Sequence, residues 1–136
     1  MSFVVHLQRA LGRHAPTIEV RDVGGPARPG GVLRATIRVV AGARAARLEP
    51  IRVRLVEERL IYTAPMVAEF DFWQKVVGFS LPLVGRMLAP GEAIELPITL
   101  SLPAALEPTE RHRRYRLSAH FGRLGPRHAV IVGVLA

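Results

Sequence analysis

This sequence predicts an all-β fold, an antiparallel β-sandwich, and three observations carry the prediction. Turn residues recur at short intervals. The segments between them alternate apolar and polar residues with a period of two, and none sustains the periodicity of a long helix. The clearest instance is the stretch 88–121, LAPGEAIELPITLSLPAALEPTERHRRYRLSAHF. After a Pro90-Gly91 turn, Ile94, Leu96, Ile98, Leu100 and Leu102 alternate with other residues until Pro103 stops the run. A polar linker follows, and Tyr115, Leu117, Ala119 and Phe121 alternate again. Successive side chains of a strand point to opposite faces, so both runs can feed one core.

Taken in order, residues 3–11 place Phe3, Val4, Leu7 and Leu11 near helical spacing, which fits a short N-terminal helix or a first edge strand. Residues 17–23 read as a strand with Ile18, Val20 and Asp22 on one face, ended by the turn GGPARPGG. In residues 32–40, Leu33, Ala35, Ile37 and Val39 alternate with Arg34, Thr36 and Arg38, the pattern of a sheet with one wet face. Ile51, Val53 and Leu55 then alternate with Arg52 and Arg54 in a strand running to Tyr62. Its phase slips near residues 56–58, as at a bulge. Residues 64–88 hold four of the eight aromatic residues and read as a hairpin with its second strand over residues 74–81. Asp71, Lys75 and Arg86 exclude a membrane span there. Strands at 114–121 and 129–135, joined by GRLGPR, close the sheet.

A chain of 136 residues fits a single domain, 1–136, in which roughly two thirds of the unfolded surface can be buried. With no cysteine there are no disulfides, no thiolate chemistry and no Cys-ligated zinc or iron–sulfur site. The opening residues, MSFVVHLQRALG, are too short and too polar for a signal peptide or a spanning helix, so a soluble, cytoplasmic protein is expected. The net charge is +8, and arginine supplies every basic residue except Lys75. Such a charge suits an anionic partner, namely nucleic acid, phospholipid or an acidic protein surface. It also suits a compositional explanation, because asparagine is absent and Arg, Ala, Pro, Gly and Leu abound, as in a thermophile or a GC-rich genome.

The Pro90-Gly91-Glu92 turn, the strand ending at Leu102-Pro103, the proline-containing loop and the Arg-Tyr-Arg-Leu strand at 114–117 resemble a lobe of arrestin-like proteins. IEVRDVGGPARPGGVLRATIRVVAG (18–42) and IRVRLVEE (51–58) resemble that lobe's other strands, and the opening segment resembles the start of the bacterial sporulation-control family. The resemblance implies an immunoglobulin-like β-sandwich used for regulation or scaffolding through protein contacts. Those families are longer and commonly carry two lobes, whereas one N-terminal-type lobe is matched here. No switch residue can be carried over.

Four sets of residues are candidates for chemistry. Arg34, Arg38, Arg52, Arg54, Arg114 and Arg116 all point away from the core on this alternation. If the strands at 52 and 114 are neighbours, Arg52, Arg54, Arg114 and Arg116 form one basic, anion-binding face. The alternative is that these arginines are solvated and pair across strands with Glu57 or Glu95. RHRRYR (111–116) is the best argument for nucleic acid, but Tyr115, its one aromatic, is phased inward and offers no stacking platform. His112 and His120 share a parity and His128 could face His120 across the last hairpin, yet the motif lacks a third ligand. Catalysis has little support: Ser2, Ser80, Ser101 and Ser118 lack a nucleophile elbow, and the adjacent Glu57 and Glu58 point to opposite faces.

The aromatic hairpin carries the strongest functional expectation. Phe70, Phe72, Trp73, Phe79, Leu83 and Met87 exceed what one core needs and belong to types enriched in interfaces. They are expected to form a homodimer or partner contact. The reading of the sequence is a non-enzymatic regulatory or scaffolding module without metal or cofactor. Its alternative is an anion binder acting on nucleic acid or acidic lipid.

Overall fold

The computed structural model describes residues 16–64, 67–83, 85–122 and 125–136, leaving out the side chains of residues 63, 64, 72 and 73. The expected helix or edge strand over residues 3–11 lies outside the described residues. Among the described residues nine strands follow one another: β1 (Thr17–Arg21), β2 (Val32–Val40), β3 (Ala46–Arg47), β4 (Ile51–Ala64), β5 (Val67–Leu81), β6 (Met87–Leu88), β7 (Ala93–Ser101), β8 (Arg113–Phe121) and β9 (Arg127–Val132). They form a three-stranded sheet β1-β2-β7, a four-stranded sheet β5-β4-β8-β9 and a small β3-β6 ribbon, every pair antiparallel. The fold is an all-β, arrestin-like sandwich whose larger sheet curls toward a half-barrel.

Alternation explains the packing. Leu33, Ala35, Ile37 and Val39 of β2 meet Ile98 and Leu100 of β7 on the inner face of one sheet. Ile51, Val53 and Leu55 of β4 with Leu117, Ala119 and Phe121 of β8 line the inner face of the other. All of these side chains are buried in one continuous core. Burial of one such aliphatic side chain stabilises by roughly 1.5–3 kcal/mol, which makes the two inner faces the main cohesive element. Two Pro-Gly turns set the entries to β2 and β7. At Arg28-Pro29-Gly30-Gly31 and at Ala89-Pro90-Gly91-Glu92 the fourth residue's N–H donates to the first residue's carbonyl, each at 3.0 Å, and Gly30 and Gly91 have φ of 74° and 73°. That is the type II pattern, in which only glycine fits the third position without strain.

The chain between β7 and β8 crosses from one sheet to the other, and Tyr115 anchors the crossing. Its ring is fully buried and its hydroxyl donates to the Glu107 carbonyl at 2.6 Å, eight residues upstream, in the manner of the tyrosine corner of β-sandwiches. Burial, and then the negative charge of Glu57, push the Tyr115 phenol above its ordinary value. Thr109 exchanges two further bonds with Val134, from its N–H at 2.8 Å and to its hydroxyl at 2.9 Å.

Three sequence expectations need adjustment. Asp22 is not on the inner face of β1: the strand ends at Arg21, and Asp22 turns the chain at φ 50°. The second hairpin strand begins at Val67, not near Gln74, because β4 continues to Ala64 and offers backbone partners along its whole length. The bulge expected near 56–58 is present, but in the pairing with β5, where the register shifts at Leu55/Val56 and Glu57/Glu58; with β8, β4 pairs in continuous register from Ile51 to Arg59. The extra residues are on β5, where Val76 and Trp73 are left between consecutive pairs. The alternation of β4 fails because Val56 and Glu58 are buried on the outer face as well.

Candidate functional site

Outer-face residues of the four-stranded sheet stand in cross-strand rows fixed by register. Arg52 lies beside His120, which lies beside Arg127. Arg54 lies beside Ser118 and Ala129, Val56 beside Arg116 and Ile131, and Glu58 beside Arg114. The expected condition is met: β4 and β8 are neighbours, and Arg52, Arg54, Arg114 and Arg116 share one face. Residues of β4, β8 and β9 enclose a concavity of about 460 Å³ on this face, with Arg54, Arg116, Arg127 and His120 around Val56, Ser118 and Ala129.

The four arginines divide into two pairs. Arg114 and Arg116 each donate from Nε to Oε1 of Glu58, at 3.1 and 3.0 Å, and Glu58 is only 7% exposed. The Arg114 guanidinium also stacks on Phe70, 3.9 Å from the ring centroid. Arg52 and Arg54 have no ion pair among the described residues, and the Nε of Arg54 is buried without a hydrogen-bond partner. The two carboxylates expected to pair with this face are engaged elsewhere: Glu95 with Arg21 and Arg38, Glu57 with Arg59 and Arg113. Cross-strand pairing therefore accounts for half of the predicted basic face and leaves Arg52 and Arg54 without a counter-ion.

His120 reports on that imbalance. Burial, then the charges of Arg54, Arg127 and Arg52, hold its imidazole below the ordinary value of 6.5. Protonation is thus disfavoured in the folded protein relative to the unfolded chain, which takes up the extra proton as pH falls below about 6.5. The His120 contribution to stability is complete above that pH and is lost on acidification. Melting temperatures between about pH 7 and 5 are expected to fall less steeply in His120→Gln than in the wild type, and equal slopes would refute this role.

The other histidines separate. His128 does not face His120: it pairs with Ala119, whereas Arg127 pairs with His120, so the two imidazoles belong to opposite faces. The Nδ1 of His128 accepts the Val20 N–H at 2.9 Å and ties β9 to the edge of the other sheet. His112 contacts the Tyr62 ring edge-on, centroids 6.4 Å apart. A last strand over 129–135, as the sequence suggests, leaves Arg127 outside it, whereas β9 runs from Arg127 to Val132. Beginning the strand at the basic residue after the GRLGP turn places it opposite His120.

The hairpin residues are also divided. Phe79 and Leu83 are half-buried against the core, Phe70 lies under Arg114, and Met87 is exposed. The side chains of Phe72 and Trp73 lie outside the described residues. Beyond the sandwich, Tyr62 and Val67 are 61% and 50% exposed.

A third cluster sits where β8 begins. Arg113 donates to Glu57 at 3.1 Å and to the Pro108 carbonyl at 3.4 Å, and it pairs with Glu107 and Glu110. Burial works against its charge, but the Glu57 hydrogen bond and the Glu107 and Glu110 carboxylates outweigh it and raise its pKa. The cluster holds the crossing loop.

No protein-family model matches the chain, and no curated protein matches it in sequence. Among solved structures, the sporulation control protein Spo0M from Bacillus subtilis matches with a TM-score of 0.66 and 19% identity, over 90% of this chain and 50% of that one. The β-glucosidase from Listeria innocua in complex with glucose matches with a TM-score of 0.53 and 13% identity, over 89% of this chain and 16% of that one. The chain spans half the length of Spo0M, and likeness at these identities is likeness of fold. With its two antiparallel sheets and the β7–β8 crossing, the chain has the arrestin-like sandwich fold seen in the sporulation control protein.

Proposed function

We propose that the protein is a non-enzymatic regulatory or scaffolding module of the sporulation-control type, acting through protein contacts in a bacterial cytoplasm, and that the β4–β5 arm carries self-association. The observation behind this reading is the arm itself. β5 is a terminal strand 15 residues long, so among the described residues one row of its backbone groups has no partner strand in its sheet. Such an edge accepts a strand from another chain. Two copies joined through it would make an isologous dimer around a two-fold axis.

The apolar residues favour the far half of the arm as the contact. Phe79 and Leu83 serve the core, whereas Tyr62 and Val67 are in water and flank the segment containing Phe70, Phe72 and Trp73. Lys75, Glu69 and Asp71 on the same strand limit pairing to partners in a matching register. Sedimentation tests the reading. The wild type is expected to run as a dimer, and the double variant Tyr62→Lys, Val67→Lys as a monomer with a nearly unchanged melting temperature, since both side chains are exposed. A wild-type monomer whose Trp73 fluorescence does not change on dilution would defeat self-association.

A further inference from the structure

We propose that the concave outer face of the four-stranded sheet binds an acidic polypeptide segment of a partner protein, with one side-chain carboxylate seated between Arg54, His120 and Arg127. The inference rests on the interaction-module reading for its kind of partner, and it is independent of the β5 dimer.

Charge is the first argument. Glu58, the acidic residue of this concavity, is already held by Arg114 and Arg116, while Arg54 and Arg127 line the same hollow with no described counter-ion. The buried Nε of Arg54 has no acceptor among the described residues. A buried donor left unsatisfied costs about 1–3 kcal/mol. A carboxylate placed there supplies the acceptor and neutralises charge together, and the Arg fork is shaped for two-oxygen contact. Ser118 adds a hydroxyl, and Val56 and Ala129 give the floor an apolar area for the methylenes of a glutamate.

Shape is the second argument. The rows from His120 and Arg127 down to Glu58 and Arg114 span seven residues of β8, roughly 20 Å of strand. An extended segment of several residues lies along that length, whereas a lone small anion would use one end. Nucleic acid suits the face poorly, because among the described residues no Phe, Tyr or Trp lines the hollow for base stacking and the Glu58 carboxylate meets the phosphate chain at one end.

His120 supplies a built-in reporter. It faces Arg52 and Arg54 from β4 and Arg127 from β9, the charges that depress its proton affinity. A docked carboxylate offsets those charges and raises that affinity, so binding tightens as His120 becomes protonated.

The test titrates the full chain with an unstructured glutamate-rich peptide, its glutamine counterpart, inorganic phosphate and a single-stranded oligonucleotide. Calorimetry gives affinity, and NMR follows the His120 imidazole. The glutamate peptide is expected to bind saturably, to weaken with salt and to move the His120 titration to higher pH, while the glutamine peptide does none of these. Arg54→Gln and Arg127→Gln should each weaken binding about tenfold or more. Arg54→Lys, which keeps the charge but loses the Nε–H, should fall between Arg54→Gln and wild type. Arg34→Gln, on the other sheet, should bind normally. Equal binding of the glutamine peptide, tighter binding of phosphate or oligonucleotide, or equal weakening by Arg34→Gln would overturn the proposal. Peptide binding by a protein that sediments as a monomer would retain this inference while removing the β5 dimer.

Discussion

Arg113→Met is expected to destabilise the protein by about 3–5 kcal/mol, the range for removing one partner of a buried ion cluster. Arg113 is 12% exposed and serves Glu57, Glu107, Glu110 and the Pro108 carbonyl at once. Most of the cost comes from Glu57. That carboxylate is nearly as buried and keeps Arg59 at 3.0 Å as its remaining cation, which places the effect toward the lower end of the range. Glu107 and Glu110 are exposed and return to water at little cost. Urea unfolding measures the loss. In Glu57→Gln, Arg113→Met much of it should return, since no buried charge is stranded, and the coupling appears as non-additivity of the two single variants. A loss below 1 kcal/mol would show that the cluster behaves as a surface network.

Tyr115→Ala is expected to cost about 3–5 kcal/mol by opening a cavity in the core. Tyr115→Phe should cost only about 1 kcal/mol, because the ring stays packed and one hydrogen bond to the Glu107 carbonyl is lost. The two variants separate packing from anchoring. Hydrogen exchange in the β7–β8 loop should accelerate in Tyr115→Phe while exchange in β2 and β7 stays near wild type. Uniform acceleration would mean that the hydroxyl stabilises the whole sandwich and does not act on the loop in particular. Arg113 and Tyr115 hold the same loop, so their effects should not add.

The sandwich was legible because its information is local. A strand with one wet face writes its burial into every second residue, and the runs at 32–40, 94–102 and 115–121 did so without interruption. The two Pro-Gly turns are as explicit, since few residues satisfy a type II geometry. β5 was less legible: its extra residues at Trp73 and Val76 break the alternation, and its length is set by β4, which pairs with it.

The candidate site was legible in part. Outward arginines on β4 and β8 follow from parity, and that parity correctly puts Arg52, Arg54, Arg114 and Arg116 on one face. Which of them are neutralised does not follow. Glu58 takes Arg114 and Arg116, while Glu57, one residue away, faces the opposite side and joins Arg113. Arg127 and His120 meet only because the β8–β9 hairpin closes in one register, and a shift of one residue would have sent Arg127 to the other face.

The amino-acid sequence by itself therefore determined the all-β class, most of the strands, the inner faces and the basic sign of the outer face, because each depends on the period of a single strand. Tertiary structure alone decided that the outer face is concave, that Arg54 is left with a buried donor while Arg114 and Arg116 are paired with Glu58, and that His128 serves the core side and His120 the hollow. These depend on the register and curl of strands far apart in the chain, and register is a relation between strands that no single strand's alternation encodes.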